Sequence, residues 1–159
     1  MLDADLCSVR EASVADVALM EQARSLHGVG QADERMADYF RGLHHPHKAL
    51  LPRIGYLALA DGKPVAYTAG HLTTRFGYEG ELQYLFVAPP YRRRGIGRRL
   101  VSSLANWFVT HGALRVCVCV DLESEPAAPF YTSLGASPFR PSWYGWENIA
   151  AAFTAKATS

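Results

Sequence analysis

The stretch 81–101, ELQYLFVAPPYRRRGIGRRLV, constrains the fold of this chain more than any other. Its first seven residues set Leu82, Tyr84 and Phe86 against Glu81, Gln83, Leu85 and Val87, a period of two that predicts a β-strand. Pro89 and Pro90 end the strand, because proline has no N–H to give a ladder. Farther on, Ile96, Leu100, Val101, Leu104 and Phe108 recur at helical spacing. Between strand and helix lies Arg92-Arg93-Arg94-Gly95-Ile96-Gly97-Arg98-Arg99. A turn of this kind presents unpaired backbone N–H groups and the positive end of a helix dipole, which together favour phosphate. Gly95 and Gly97 add freedom for positive φ and let a ligand approach the backbone. The unit reads as a phosphate-binding element.

Charge places that element in a nearly neutral chain. The formal net charge is +1 over 159 residues, yet five of the 16 basic residues fall between Arg92 and Arg99. A local anion site fits this distribution; a nucleic-acid or membrane surface, which needs a broad basic field, does not. The basic residues also straddle a glycine turn with no aromatic stacking platform, and the GxxxxGK[ST] phosphate loop is absent. With 49% hydrophobic and 19% charged residues, the chain can bury one core as a single domain, residues 1–159. No repeat or linker divides it. Three cysteines without CxxC spacing, and no signal-peptide or membrane-spanning pattern, lead to the expectation of a cytoplasmic protein without disulfides.

Taken in order, the chain opens with a strand at 6–12. Ser13 and Asp16 form a capping box ahead of a helix carrying Val14, Val17, Met20 and Ala23 to about residue 26. A second helix is expected at 32–43, with Met36, Tyr39, Phe40 and Leu43 on one face. His44, His45 and His47 follow, but Pro46 breaks any helical ligand geometry, so a loop is expected and no metal site. Strands are predicted at 54–60 and 65–72, joined by the hairpin signal Asp61-Gly62, and at 114–120 after the central helix. A polar connection at 121–125 leads to a short helix capped by Ser124, carrying Phe130, Tyr131 and Leu134, and closed by Gly135. Pro138 and Pro141 flank a connection, a last strand is expected at 143–149, and the C-terminal AAFTAKATS is expected to fray. The fold class is α+β.

Val87-x-Pro89-x-Tyr91-Arg92-x-x-Gly95-Ile96-Gly97, followed by Phe130-Tyr131-x-x-x-Gly135 after the next strand, resembles the GNAT-type N-acetyltransferases. The order of elements agrees over nearly the whole chain, and the sub-family is unassigned. The resemblance implies a mixed, mostly antiparallel twisted sheet of about six to seven strands flanked by about four helices. It implies acetyl-CoA as acyl donor, with no metal. The backbone of Leu85, Phe86 and Val87 would pair with the pantetheine arm, and the amides of Arg93, Arg94, Gly95, Ile96, Gly97 and Arg98 would cradle the pyrophosphate. Arg92 takes the motif's first position. Ser124 stands where the family has an asparagine, a departure to a shorter side chain.

The chemistry implied is direct attack of a primary amine on the thioester in a ternary complex, the amine belonging to a small molecule or a peptide. Such a reaction needs a base for the ammonium, a donor for the developing negative oxygen, and an acid for the thiolate. The resemblance assigns the base to Glu81, where burial would raise the carboxylate toward the useful range. It assigns the oxygen to the backbone N–H near Val87 and the acid to Tyr131. Glu79, Asp121 and His71 are lesser candidates for the base. Trp143, Tyr144 and Trp146 read as core or as a wall of the acceptor pocket, and Cys117 and Cys119 as packing residues. The departure at Ser124 keeps open an alternative, a non-catalytic CoA or acyl-CoA sensor. A homodimer agrees with the resemblance, though nothing in the sequence demands one.

Overall fold

The computed structural model describes residues 7–26, 28–30, 34–120 and 127–157. Its sheet has seven strands: β1 (Cys7–Ala12), β2 (Ala49–Ala60), β3 (Lys63–Thr73), β4 (Gly80–Val87), β5 (Val116–Cys119), β6 (Ser137–Arg140) and β7 (Trp143–Trp146). The order across it is β1-β2-β3-β4-β5-β7-β6. All neighbours run antiparallel except β4 and β5. That one parallel pair requires a crossover, which α3 (Ile96–Thr110) supplies. The remaining helices are α1 (Val17–Ser25), α2 (Met36–Arg41), α4 (Ala127–Ser133) and α5 (Ile149–Ala157). None among the described residues is long and apolar enough to cross a membrane.

Local chemistry sets the element ends. The capping box at Ser13 and Asp16 forms, and Arg10 grips Asp16 through both guanidinium nitrogens at 3.2 and 2.9 Å. Asp61 and Gly62 take φ of 52° and 76°, the two positive angles of a hairpin turn whose twist matches its strands. Several elements depart from expectation, among them α2, which spans Met36–Arg41 instead of 32–43. β2 starts at Ala49, ahead of the predicted 54, across a register break that Pro52 accompanies. β6 occupies the segment flanked by Pro138 and Pro141, which an edge strand tolerates because its outer N–H groups have no partner strand. β7 ends at Trp146, and Asn148 then caps α5 through Oδ1 to the amides of Ala150 and Ala151. The C-terminal segment therefore forms a fifth helix, with Ile149, Ala152 and Phe153 packed into the core.

The sheet has a core on each face. Leu82, Leu104, Phe108, Val118, Tyr131, Leu134 and Trp146 cluster beneath α3, α4 and α5. Met20, Ala23, Met36, Leu57, Tyr67 and Phe86 cluster beneath α1 and α2. Burying one such large side chain contributes about 1.5–3 kcal/mol. The period-two reading of β4 breaks at Gln83: Ala69 pairs with Tyr84 but Gly70 pairs with Leu82, so Gln83 is the extra residue of a β-bulge. Leu82 therefore faces α3, whereas Tyr84 and Phe86 face α1 and α2. A single inserted residue moves the strand's alternation out of phase.

Candidate active site

β4 has β5 as a neighbour only where Gly80, Glu81 and Leu82 pair with Val116, Cys117 and Val118. Beyond the bulge no described residue of β5 pairs with β4, so among the described residues the 83–87 edge on that side has no strand. The side-chain oxygen Oε1 of Gln83 is buried at this parting and has no hydrogen-bond donor. An extended amide-bearing chain would supply both needs.

The basic turn follows directly. Arg92 donates from Nε to the carbonyl of Val87 at 2.8 Å, tying the turn to the end of β4. Arg93 takes φ 62° and Gly95 φ 84°, so the chain doubles back before α3 begins. No side chain caps the first turn of α3, whose N-cap is Gly95. Its free amides and the exposed Arg92 and Arg93 are the groups available to an anion. Arg99 points elsewhere, to the carbonyl of Cys7 at 2.8 Å. The two glycines differ in role. Gly97 lies inside the helix without positive φ, and a Cβ there would meet the Phe130 ring at 3.2 Å and Val87 at 3.6 Å. Its bareness admits Phe130.

Phe130 carries Tyr131 with it. The Tyr131 ring packs edge-on against Phe130 and Trp146, with centroids 5.1 and 6.1 Å apart. Burial pushes its phenol well above the usual range, so the group stays protonated, and no described residue hydrogen-bonds its hydroxyl. Ser124 and Asp121, both expected near here, lie outside the described residues.

Glu81 sits on the opposite sheet face, 3% exposed, in a polar row that the sequence reading did not assemble. Its Oε1 accepts from Nε of Arg75 at 3.1 Å and stands 3.5 Å from Nε2 of His71. His71 is its cross-strand partner and is fully buried; its Nδ1 lies 2.7 Å from the hydroxyl of Tyr39 on α2. Oε2 takes no hydrogen bond from the described residues. The guanidinium of Arg75 lies over the Trp143 ring at 4.8 Å. The sequence marked Tyr39 only as one face of a helix and gave Arg75 no signal; only the alternation of a paired hairpin could have put His71 beside Glu81.

The other candidates separate from this row. Glu79 Oε1 accepts from the amides of Leu114 and Arg115 at 2.8 and 3.0 Å, bonds that hold its carboxyl below the usual range and make it a structural brace. Burial, then the charge of Glu81, push the Cys117 thiol up to about 12, leaving it inert as a nucleophile. Trp146 is core, donating Nε1 to the carbonyl of Leu134 at 3.0 Å, whereas Trp143 shares the Glu81 face. Arg53 ties the histidine segment to α2, donating to the carbonyls of Tyr39 and His44 and lying 2.6 Å from Nδ1 of His45. No metal-holding cluster of His, Cys, Asp or Glu occurs among the described residues.

Comparison with known proteins bears on this arrangement. Residues 17–136 match the family model described as the acetyltransferase (GNAT) family. No curated protein matches the chain in sequence. Among solved structures, an acetyltransferase from Thermus thermophilus superposes with TM-score 0.67 at 17% identity, covering 91% of this chain and 98% of that one. The PaiA N-acetyltransferase of Thermoplasma acidophilum, in complex with coenzyme A, gives 0.61 at 17%, covering 87% and 96%. An aminoglycoside acetyltransferase from an uncultured soil metagenomic sample gives 0.60 at 28%, covering 84% and 93%.

Proposed function

The chain belongs to the acetyltransferase (GNAT) family, and from that premise we propose that it transfers the acetyl group of acetyl-CoA directly to a primary amine in a ternary complex. The observation that carries the reading is the parting of β4 from β5 just ahead of an uncapped, basic helix start. An arm held along residues 83–87 would deliver its pyrophosphate to the amides of residues 93–98. Bound there, acetyl-CoA supplies an activated acetyl thioester. The remaining work falls to the chain.

Glu81 takes the proton of the ammonium on Oε2, through a bridging water because the carboxylate is almost wholly buried. The backbone N–H near Val87 faces the carbonyl oxygen as negative charge develops on it. Tyr131, kept protonated by burial, gives its proton to the sulfur and recovers one from the amine nitrogen. The C–N bond forms as the C–S bond breaks, so an ammonium and a thioester yield an amide, a thiol and one proton. The acceptor is a small-molecule or peptide amine; the aminoglycoside relative at 28% identity makes aminoglycosides one arm of its test.

Thiol release from acetyl-CoA, followed with a panel of aminoglycosides, amino acids, polyamines and peptides, decides the matter. Acceleration over hydrolysis by at least one amine is expected. A chain that binds CoA yet accelerates with none is a CoA sensor, and the transferase reading falls.

A further inference from the structure

His71 is fully buried on β3, and its Nε2 has no hydrogen-bond partner among the described residues. A buried N–H without an acceptor costs stability, and an apolar side chain would fill the same space without that cost. The retained imidazole has two neighbours that give it a direction. Tyr39 stands 2.7 Å from Nδ1, and Glu81 Oε1 stands 3.5 Å from Nε2. A separation of that size closes with a small turn of the Glu81 carboxylate, and catalytic hydrogen bonds commonly tighten only in the complex with substrate.

We infer that His71 is the positioning residue for Glu81, held by Tyr39 in the tautomer whose proton sits on Nε2 and points at Oε1. The inference rests on the role proposed above for Glu81. Burial keeps the Tyr39 phenol protonated, so its hydroxyl has a proton to offer Nδ1 and none to take up as a phenolate. The row is thus an orienting device with a closed end, and protons leave Glu81 only through Oε2. Arg75 and His71 then hold Oε1 from two directions, the β3–β4 turn and the neighbouring strand. The other titratable group against the carboxylate is Cys117 of β5, its cross-strand neighbour, which stays a thiol; Tyr84 packs edge-on against Tyr39.

Nitrogen-15 shifts of labelled His71 in the wild-type protein read the tautomer without any acceptor. A proton on Nε2 with a bare Nδ1 is expected; the reverse tautomer overturns the inference. In turnover, His71→Leu is expected to lower kcat at least tenfold with CoA affinity unchanged. The acid limb of kcat/KM should move to higher pH, because the charged carboxylate loses a donor. His71→Gln, which keeps an N–H toward Oε1, should recover part of both effects. Tyr39→Phe, which removes one oxygen, should move the limb the same way and release the tautomer. Equal losses in the Leu and Gln variants with an unmoved limb would reduce His71 to packing. Failure of every amine in the wild type sinks the transferase reading instead, and leaves the tautomer measurement standing.

Discussion

The ring of Phe130 occupies the space in which a side chain on Gly97 would begin, 3.2 Å from where its Cβ would stand. This joins the first turn of α3, where a pyrophosphate would sit, to the helix that carries Tyr131. The cofactor turn and the proposed acid are therefore one packed unit.

Replacing Gly with Ala inside a helix ordinarily stabilises by about 0.5–1 kcal/mol. At position 97 that gain is opposed, since a Cβ would stand 3.2 Å from the Phe130 ring and the ring must give way. Gly97→Val is expected to lose about 1–3 kcal/mol by overpacking and to weaken CoA binding at least tenfold. Thermal unfolding and calorimetric titration measure the two. The added variant Phe130→Ala should return part of the stability, a coupling that a double-mutant cycle detects; full CoA affinity in Gly97→Val would mean the turn does not hold CoA.

Tyr131→Phe keeps the packing and removes the hydroxyl. Acetyl transfer is expected to slow by roughly a hundredfold, within the range for a lost general acid, with CoA affinity unchanged. Wild-type turnover would assign Tyr131 to the core alone.

Glu81→Gln keeps the volume and one acceptor for Arg75 but cannot take a proton. A loss of about a hundredfold in kcat, flat across the acid limb, is expected, with CoA affinity intact. Turnover that keeps the wild-type pH profile removes Glu81 from the mechanism.

Alkaline stability provides a check on the buried groups. The Cys117 thiol titrates near 9.0 in its ordinary setting and is pushed up to about 12 in the fold. Above pH 9 the unfolded chain gives up a proton that the folded chain keeps. Stability is thus full below pH 9 and falls as pH rises toward 12, by about 1.4 kcal/mol per unit for each such group. Tyr39 and Tyr131, both raised, add the same sign from about pH 10 upward. Denaturant melts between pH 9 and 10 should therefore show a shallower slope in Cys117→Ala than in wild type; equal slopes would mean the thiol is not the group responsible.

What could be read from sequence was local. The strand at Glu81, the Ser13 cap, the Asp61-Gly62 turn and the glycine turn before α3 each rest on neighbours a few residues apart, and all four formed. The polar row around Glu81 rests on register instead. Tyr39 and His71 are 32 residues apart, and nothing in either neighbourhood marks the other. β6 hid because prolines that argue against a central strand are acceptable at an edge. α5 hid because its small residues gave a weak pattern, though Asn148 was a readable cap.

The extra residue at Gln83 divides β4 into two lengths with opposite phase. The bulge is what lets Glu81 and Tyr84, an odd number of positions apart, stand on the same face of the strand. Deleting one residue between Glu81 and Phe86 would leave nearly the same composition. It would also remove the bulge and restore plain alternation, leaving Glu81 and Phe86 on the faces they have now but straightening the strand where β5 parts from it. In β4, one unpaired residue sets the shape of the strand at the point where its neighbour leaves it.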